Sequence, residues 1–342
     1  MRKKFYIMAR KLGHLMTNEF YMNLAINEAW KYQFLTYENP AVGCVIVDKN
    51  GRILSIGAHK GAGEAHAELN AVAQALQELK PNLTLPDEPN LEYDFILKHH
   101  NNALKGAVAF VSLEPCAHFG KTPPCARLLS ELGFKKVFIS VADTSDKARG
   151  GGEFLRKNGV ELEFGLCEVA GRNLIKPFLK WQKNEPYKLF KLALTLNGSA
   201  FGKITKRESD IYTHKIRSKI DLLVIGGQSV RTDRPTLDAR LVGGKAPDIC
   251  VLSRRNLDEF DKTAPLFSVP NRRIYSEIPK QAKFIMFEGG ENFLREFKDE
   301  MDAFLIFSNA HFKASQNVCV EAEFKPLFRG VLGEDSYGIY EL

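Results

Sequence analysis

The sequence predicts an α/β protein built from two domains. Its 342 residues exceed the usual length of a single domain. Short apolar segments with strand character alternate with segments of helical periodicity, which is the pattern of layered α/β architectures. Asn184-Glu185-Pro186 separates two such series and is the strongest boundary signal. We therefore expect a first domain over residues 17–165, a connection over 166–185 and a second domain over 186–342.

The first domain is predicted to begin with a helix over residues 20–32 and a β-hairpin. The hairpin strands, 41–47 and 52–57, are joined through Asn50-Gly51, a dipeptide typical of tight turns. The polar, proline-containing segment 80–105 has little periodicity, and we interpret it as an inserted surface excursion. The remaining predicted elements are helices at 66–79, 126–132, 150–159 and 168–183, and strands at 107–111, 135–141 and 160–166.

The second domain is predicted to begin with a strand over residues 187–196. Further strands are expected at 221–225, 248–252 and 283–287. The last of them ends at Glu288-Gly289-Gly290, and a helix follows from Glu291. Two glycines between a strand and a helix let backbone amides approach a phosphate, although a simple tight turn is the alternative interpretation.

Net charge, cysteine content and the length of apolar runs indicate which partners and which cellular compartment to expect. The net charge is +7, and the basic residues are spread along the chain, which favours a surface that attracts phosphorylated small molecules over a nucleic-acid surface. Six scattered cysteines suit a reducing compartment, so we expect a cytoplasmic protein without a disulfide framework. No apolar run approaches the length of a membrane span. We interpret Met1 to Met16 as an extension.

Three residues in the first half have the chemistry of zinc ligands. They are His66, Cys116 and Cys125, and one His with two Cys leaves the fourth tetrahedral position open for water. Zinc lowers the pKa of such a water toward neutrality, and Glu68, two residues after His66, is placed to take its proton. This H-x-E…P-C…C order is typical of zinc deaminases that act on nucleobase-like rings. The alternative is a set of unconnected buried residues.

The spacing of the two cysteines is longer than the common P-C-x-x-C form, because eight residues separate Cys116 from Cys125. With this loop, the first half resembles the bifunctional riboflavin-biosynthesis deaminase-reductase family. The segments that carry the resemblance are Asn39-Pro40-Ala41-Val42-Gly43-Cys44-Val45-Ile46-Val47, Gly57-Ala58-His59, Gly63-Glu64-Ala65-His66-Ala67-Glu68, and Ser112 to Cys125 with its Thr122-Pro123-Pro124-Cys125 ending.

The resemblance implies a cytidine-deaminase-like, three-layer α/β/α first domain. It also implies hydrolytic deamination of a diamino-pyrimidinone ribosyl phosphate, with Zn²⁺ held by His66, Cys116 and Cys125 and with Glu68 as the proton carrier. The family positions that line the substrate site are occupied here by Asn39, His59, His118 and Lys121, and Lys121 could supply a cation for the phosphate. Supporting or solvent-facing roles are the alternative for each of these polar residues.

A second group of segments consists of Lys191-Leu192-Ala193, Gly226-Gly227-Gln228-Ser229-Val230, Thr232-Asp233-Arg234-Pro235-Thr236-Leu237, Arg240 and Glu288-Gly289-Gly290. With them the second half resembles the reductase part of the same family, which is similar to dihydrofolate reductase in fold and uses NADPH to reduce the ribosyl group to a ribityl chain. The resemblance places Arg217, Leu237, Arg240 and Glu288 at substrate positions, although Arg217 could instead form a surface ion pair. Two departures are Asn197 in Thr195-Leu196-Asn197-Gly198, where the family usually has Asp, and the lack of a Trp near Ile204-Thr205. The cofactor positions are Ala193, Ser229, Asp233, Ser253, Gly289 and Gly290.

Two other functions stay open on the sequence alone. A nucleic-acid deaminase of the tRNA type would have nearly the same zinc site, and a deaminase could carry a second domain that only acts as a scaffold. The long cysteine spacing and the reductase-like second half favour the bifunctional enzyme. We expect a phosphorylated pyrimidine as the partner, neither nucleic acid nor membrane, and assembly into a homo-oligomer.

Overall fold

The computed structural model describes residues 16–118, 120, 123–144 and 150–342. The predicted extension, apart from Met16, and Lys121 lie outside the described residues. The chain divides into two compact units, Met1–Phe178 and Leu179–Leu342. The division falls inside the helix Glu168–Gln182, which lies within the segment predicted as the connection.

The first unit is built around a five-stranded sheet with the strand order β2-β1-β3-β4-β5. β1 pairs antiparallel with β2 and with β3, and β3, β4 and β5 run parallel. The strands are β1 (Gly43–Val47), β2 (Ile53–Ala58), β3 (Val108–Leu113), β4 (Lys136–Val141) and β5 (Glu161–Phe164). The helices are α1 (Asn18–Trp30), α2 (Ala67–Leu79), α3 (Pro89–His99), α4 (Cys125–Glu131), α5 (Gly151–Lys157) and α6 (Glu168–Gln182).

Two glycines show that helices cover both faces of this sheet. A Cβ atom at Gly43 would lie 1.9 Å from the carbonyl oxygen of Ala25 in α1. A Cβ atom at Gly57 would lie 2.6 Å from the backbone nitrogen of Ala71 in α2. Gly57 is the pairing partner of Cys44, so it shares a face with Cys44 and points away from the face of Gly43. α1 and α2 therefore lie on opposite faces, which confirms the predicted three-layer arrangement.

Helix α3 corrects the interpretation of residues 80–105 as an excursion with little periodicity. The side chain of Glu88 accepts a hydrogen bond from the backbone of Leu91, and Pro89 occupies the first turn, where its missing N–H costs nothing. Tyr93 and Ile96, three residues apart, are the buried positions of the helix. The apolar stripe is only two residues wide, and that is why its periodicity is hard to see in a polar segment.

The second unit contains an eight-stranded sheet with the order β12-β13-β11-β6-β10-β7-β8-β9. The strands from β11 to β9 in this order run parallel, and β13 pairs antiparallel with β11 and β12. The strands are β6 (Tyr187–Thr195), β7 (Leu222–Gly226), β8 (Asp248–Leu252), β9 (Ile274–Tyr275), β10 (Phe284–Glu288), β11 (Ala303–Asn309), β12 (Lys325–Leu332) and β13 (Asp335–Glu341). The helices are α7 (Arg207–Arg217), α8 (Gly227–Asp233) and α9 (Glu291–Phe297).

The parallel strands place three predicted site segments at one edge of this sheet. β7 ends at Gly226, β8 at Leu252 and β10 at Glu288, and these strands are neighbours or next neighbours in the sheet. The carboxyl ends of parallel strands meet at the same edge, which is where α/β sheets commonly bind ligands.

Among the described residues, no helix is both long and apolar enough to cross a membrane.

Candidate active sites

The three predicted zinc ligands meet in the first unit. His66 is the residue immediately before α2, Cys116 lies in the loop after β3, and Cys125 is the first residue of α4. The Nδ1 atom of His66 lies 3.7 Å from the Sγ atom of Cys116 and 3.5 Å from the Sγ atom of Cys125. Atoms that share a tetrahedral zinc at about 2.0 to 2.3 Å lie roughly 3.5 Å apart, so the donor set fits this ion.

Within the described residues, these three side chains are the cluster whose ligand atoms all lie within 4.8 Å of one another. Backbone groups hold the two thiols in place. The backbone N–H of Cys125 donates to the Sγ atom of Cys116 at 3.4 Å. The thiol of Cys125 also hydrogen-bonds to Cys116 and lowers the pKa of Cys116 well below its usual value, which favours the thiolate that binds metals.

Glu68 lies in the first turn of α2, close to this cluster, and its side chain is buried. Burial, helped by the negative charge of Cys116, raises the pKa of Glu68 to about 7. A carboxyl group with this pKa can both accept and release a proton near neutral pH. The position and the acidity therefore agree with the proton-carrying role predicted for Glu68.

His59 lies next to the cluster as a buried, neutral imidazole. Burial lowers its pKa to about 4, and its ring lies 5.5 Å from the ring of His66. The Nδ1 atom of His59 is 3.1 Å from the carbonyl oxygen of Ala65, so it carries the proton and donates it to that oxygen. Its Nε2 atom lies 3.5 Å from the amide nitrogen of Asn39. The structure thus brings Asn39 and His59 together.

The other two predicted substrate residues of this half are placed differently. His118 is exposed in the loop between Cys116 and Cys125, and Lys121 lies outside the described residues. Asn70 was missed by the sequence analysis. Its amide donates to the carbonyl oxygens of Ala58 at 2.9 Å and Ala65 at 3.1 Å, which fixes the backbone just before His66. Its spacing of four residues from His66, one helical turn, is the signal that could have revealed it.

In the second unit, all of the predicted site residues line one open cleft of about 1680 Å³ at the carboxyl edge of the sheet. The predicted cofactor residues Ala193, Ser229, Asp233, Ser253, Gly289 and Gly290 share it with the predicted substrate residues Arg217, Leu237, Arg240 and Glu288. The volume is sufficient for a dinucleotide together with a small substrate. The resemblance implied one reductase site for these residues, and the parallel topology explains how segments distant in the chain come together there.

A buried charge cluster forms part of the cleft wall. Glu288 accepts hydrogen bonds from Arg217, and its carboxylate lies 3.5 Å from the ammonium nitrogen of Lys191. Burial alone would raise the pKa of Glu288, but the charges of Arg217 and Lys191 hold it below its usual value. The ion pair considered for Arg217 is therefore present, although it is buried and lines the cleft. Lys191 lies in the middle of β6 and was not predicted as a site residue.

Hydrogen bonds from a side chain hold the backbone of the cleft wall that carries Leu237 and Arg240. Leu237 has a φ angle of 56°, a left-handed conformation that costs energy for a residue other than glycine. The guanidinium of Arg272 donates to the carbonyl oxygens of Thr236 at 2.8 Å and of Leu237. Arg240 itself is exposed and pairs with Asp238 at 2.9 Å. Arg272 thus holds the strained turn, and no sequence motif indicates this role.

Comparison with known proteins shows similarity over both units. Residues 16–141 match the family described as the cytidine and deoxycytidylate deaminase zinc-binding region. The riboflavin biosynthesis protein RibD of Aquifex aeolicus is 34% identical over 230 residues, and that of Actinobacillus pleuropneumoniae is 36% identical over 240 residues. These alignments cover 65% and 68% of this chain.

A solved structure extends the similarity across both units. The diaminohydroxyphosphoribosylaminopyrimidine deaminase/5-amino-6-(5-phosphoribosylamino)uracil reductase of Thermotoga maritima is 25% identical, with a TM-score of 0.59, and the match covers 94% of this chain and 98% of that chain. The chain is therefore similar to the RibD family in sequence and, across both units, in fold. The aligned parts span 57% of the length of each of the two curated RibD proteins named above.

These similarities confirm the resemblance seen in the sequence and the predicted pair of folds. The expected cofactors, Zn²⁺ for the first unit and NADPH for the second, agree with the RibD family as well. The roles of the individual site residues remain predictions, and the geometry described above shows where each of them lies.

Proposed function

We propose that this chain is a bifunctional enzyme of riboflavin biosynthesis. Its first unit hydrolyses the amino group from a diamino-pyrimidinone ribosyl phosphate, consuming water and releasing ammonia. Its second unit transfers hydride from NADPH, together with a proton from the solvent, to the ribosyl group, which becomes a ribityl chain. The observation that carries this proposal is the meeting of His66, Cys116 and Cys125 beside the buried carboxyl of Glu68.

In the first unit, His66, Cys116 and Cys125 would hold Zn²⁺. When bound, this ion supplies a Lewis acid that makes a water molecule acidic at neutral pH. Glu68 accepts the proton of the attacking water on its carboxylate, passes it to a ring nitrogen and assists the departure of ammonia. The neutral His59 and the amide of Asn39 offer hydrogen bonds that orient the pyrimidine ring.

In the second unit, the cleft lining contains glycines, which would let NADPH approach the backbone, and arginines, which would attract the substrate phosphate. Gly289 and Gly290 leave room for close approach, since a side chain at Gly289 would collide with Phe293 while the space at Gly290 is open. Arg240 is exposed and pairs with Asp238 through one nitrogen, so its guanidinium has further donors for a phosphate. Arg217 adds positive charge nearby, while its planar fork of donors is bound to Glu288. We assign these two arginines to the substrate side of the cleft.

The test follows two products in one tube. Purified protein is supplied with fresh diamino-pyrimidinone ribosyl phosphate and NADPH, ammonia is assayed, and NADPH is followed by its near-ultraviolet absorbance. We expect ammonia release together with NADPH oxidation. Ammonia without NADPH oxidation would support the scaffold alternative for the second unit, and neither product would refute the proposal.

Zinc content provides an independent check. We expect one zinc per chain by elemental analysis, and Cys125→Ala should lose the zinc while Cys319→Ala, at an exposed cysteine, should retain it.

A cytoplasmic location, suggested by the six free cysteines, is also part of the proposal. So are homo-oligomer formation and the absence of nucleic acid among the partners, and the latter predicts no retardation of RNA on a gel at moderate salt.

A further inference from the structure

The carboxylate of Glu114 connects three parts of the first unit. Its Oε1 atom accepts a hydrogen bond from the backbone N–H of Gly152 in α5 at 2.8 Å. Its Oε2 atom accepts one from the backbone N–H of Asp143, just beyond β4, at 3.1 Å. The backbone N–H of Glu114 donates to the carbonyl oxygen of Val141 at 2.9 Å. The chain is thus fixed two residues before Cys116.

Pro115, which lies between Glu114 and Cys116, packs tightly against helix α5. A Cβ atom at Gly151 would lie 1.7 Å from the carbonyl oxygen of Pro115, so α5 contacts this backbone directly. The carbonyl oxygen of Cys116 accepts a hydrogen bond from the backbone N–H of Ala126 at 3.1 Å. Cys116 is therefore held on one side through Glu114 and on the other side by α4.

The bonding of Glu114 differs from that of the glutamates on the surface of this unit. Glu131 and Glu163, for example, pair with the side chains of Arg127 and Lys136. Within the part of the chain that the structure describes, the Glu114 carboxylate accepts hydrogen bonds from two backbone N–H groups. Each carboxylate oxygen accepts one of them, and hydrogen bonds to a charged acceptor are among the strong ones. This arrangement fixes backbone position.

We propose that Glu114 is a positioning residue for the zinc ligand Cys116, an inference that rests on the zinc site of the proposed function. Tetrahedral coordination requires the Sγ atom of Cys116 to stay at a fixed distance from His66 and Cys125. Loss of the carboxylate leaves two backbone N–H groups without their acceptor and releases the backbone that carries Cys116. Groups that orient metal ligands typically contribute 10- to 100-fold to metal affinity.

The test measures the dissociation constant of Zn²⁺ by competition with a chelator, using the full-length chain. We expect Glu114→Ala to weaken zinc binding by about 10- to 100-fold. Glu114→Gln keeps one acceptor oxygen but turns an NH₂ group toward one backbone N–H, so its loss should be smaller. Glu131→Gln, at an exposed carboxylate of the same unit, is the matched control and should bind zinc like the wild type.

A second readout separates positioning from a general structural role. With Co²⁺ in place of Zn²⁺, the visible thiolate bands should change in both Glu114 variants and stay unchanged in Glu131→Gln. Wild-type zinc affinity and spectra in Glu114→Gln, together with lower stability of its metal-free form, would show a structural role and overturn the proposal. If Glu114→Ala does not fold, Glu114→Gln decides alone. Absence of zinc binding in the wild type would refute the zinc site itself.

Discussion

The guanidinium of Arg217 donates two hydrogen bonds to the carboxylate of Glu288, from Nε to Oε1 at 3.0 Å and from Nη2 to Oε2 at 2.9 Å. Both side chains are 12% exposed. This fork joins the end of α7 to the end of β10. Removing Arg217 would leave the buried Glu288 with the more distant Lys191, at 3.5 Å, as a counter-charge. Breaking a buried ion pair in this way is usually far more costly than losing a surface pair.

Arg217→Met should therefore lower the free energy of unfolding of the second unit by about 3 kcal/mol. The control is Arg273→Met, which removes an exposed pair with Asp248 and should cost below about 1 kcal/mol. Chemical denaturation monitored by fluorescence gives both values. Equal losses in the two variants would contradict a special contribution of the buried pair.

Glu68→Gln should abolish most of the deamination without loss of zinc. Glutamine has nearly the same shape as glutamate but cannot carry a proton, so ammonia release should fall by about 10² to 10⁴ fold. Zinc content and NADPH oxidation with an already deaminated substrate should stay unchanged. Glu64→Gln, at an exposed carboxyl close to His66 in the sequence, should keep its activity, and a comparable loss there would argue against a specific role of Glu68.

Glu92 predicts a pH dependence of stability in the first unit. Burial, with a further contribution from the charge of Asp87, raises its pKa from 4.5 to about 7. The folded state therefore binds more protons than the unfolded state between these values, and the contribution of Glu92 to stability is lost as the pH rises through about 7. Glu92→Gln, neutral at every pH, should have a higher melting temperature than the wild type above this range.

The advantage of Glu92→Gln should shrink below the unfolded-state pKa of 4.5, where the wild-type carboxyl is protonated in both states. Asp94→Asn, at an exposed carboxyl of the same helix, is the matched control and should show no such pH-dependent gain. Thermal unfolding of the three proteins across this pH range measures the effect, and a constant difference at all pH values would disprove the assignment.

The hydrogen bonds of Asn197 predict that aspartate, the usual residue of the family at this position, would destabilise this chain. Its Oδ1 atom accepts from the backbone N–H of Lys313 at 3.0 Å, and its Nδ2 atom donates to the carbonyl oxygen of Lys313 at 2.9 Å. Aspartate could make only the first of these bonds. Asn197→Asp should lower the free energy of unfolding by about 1 kcal/mol, and urea denaturation would detect it. Unchanged or increased stability would show that the second bond contributes nothing.

Local patterns in the sequence predicted much of the fold. The hairpin at Asn50-Gly51, the helix that carries Glu68 and the strand that ends at Glu288 all lie close to their predicted positions. These features depend on residues adjacent in the chain, and propensity and periodicity describe such effects well. The helix α3 was missed because only Tyr93 and Ile96 of its residues are buried.

The sites were predictable to different degrees. The predicted zinc ligands are residue types that bind zinc, and they occur in an order typical of zinc deaminases, so the sequence alone indicated them. Lys191 and Arg272 act through contacts with residues far away in the chain or with backbone carbonyls, and ordinary polar residues of this kind carry no local signal. For Asn70, the spacing of one helical turn from His66 is a weak signal. The geometry of the fold is needed to find them.

The pairing of β6 also has a consequence for the newly synthesised protein. Every strand of the first sheet lies within residues 43–164, so that unit can be completed early. β6 follows next, but its partners β10 and β11 end only at Asn309. Until the ribosome has passed Glu288, both edges of β6 are unpaired, and the edge that pairs with β11 stays open until Asn309. We therefore expect chaperones to contact the nascent chain mainly during this interval, when β6 is most liable to aggregate.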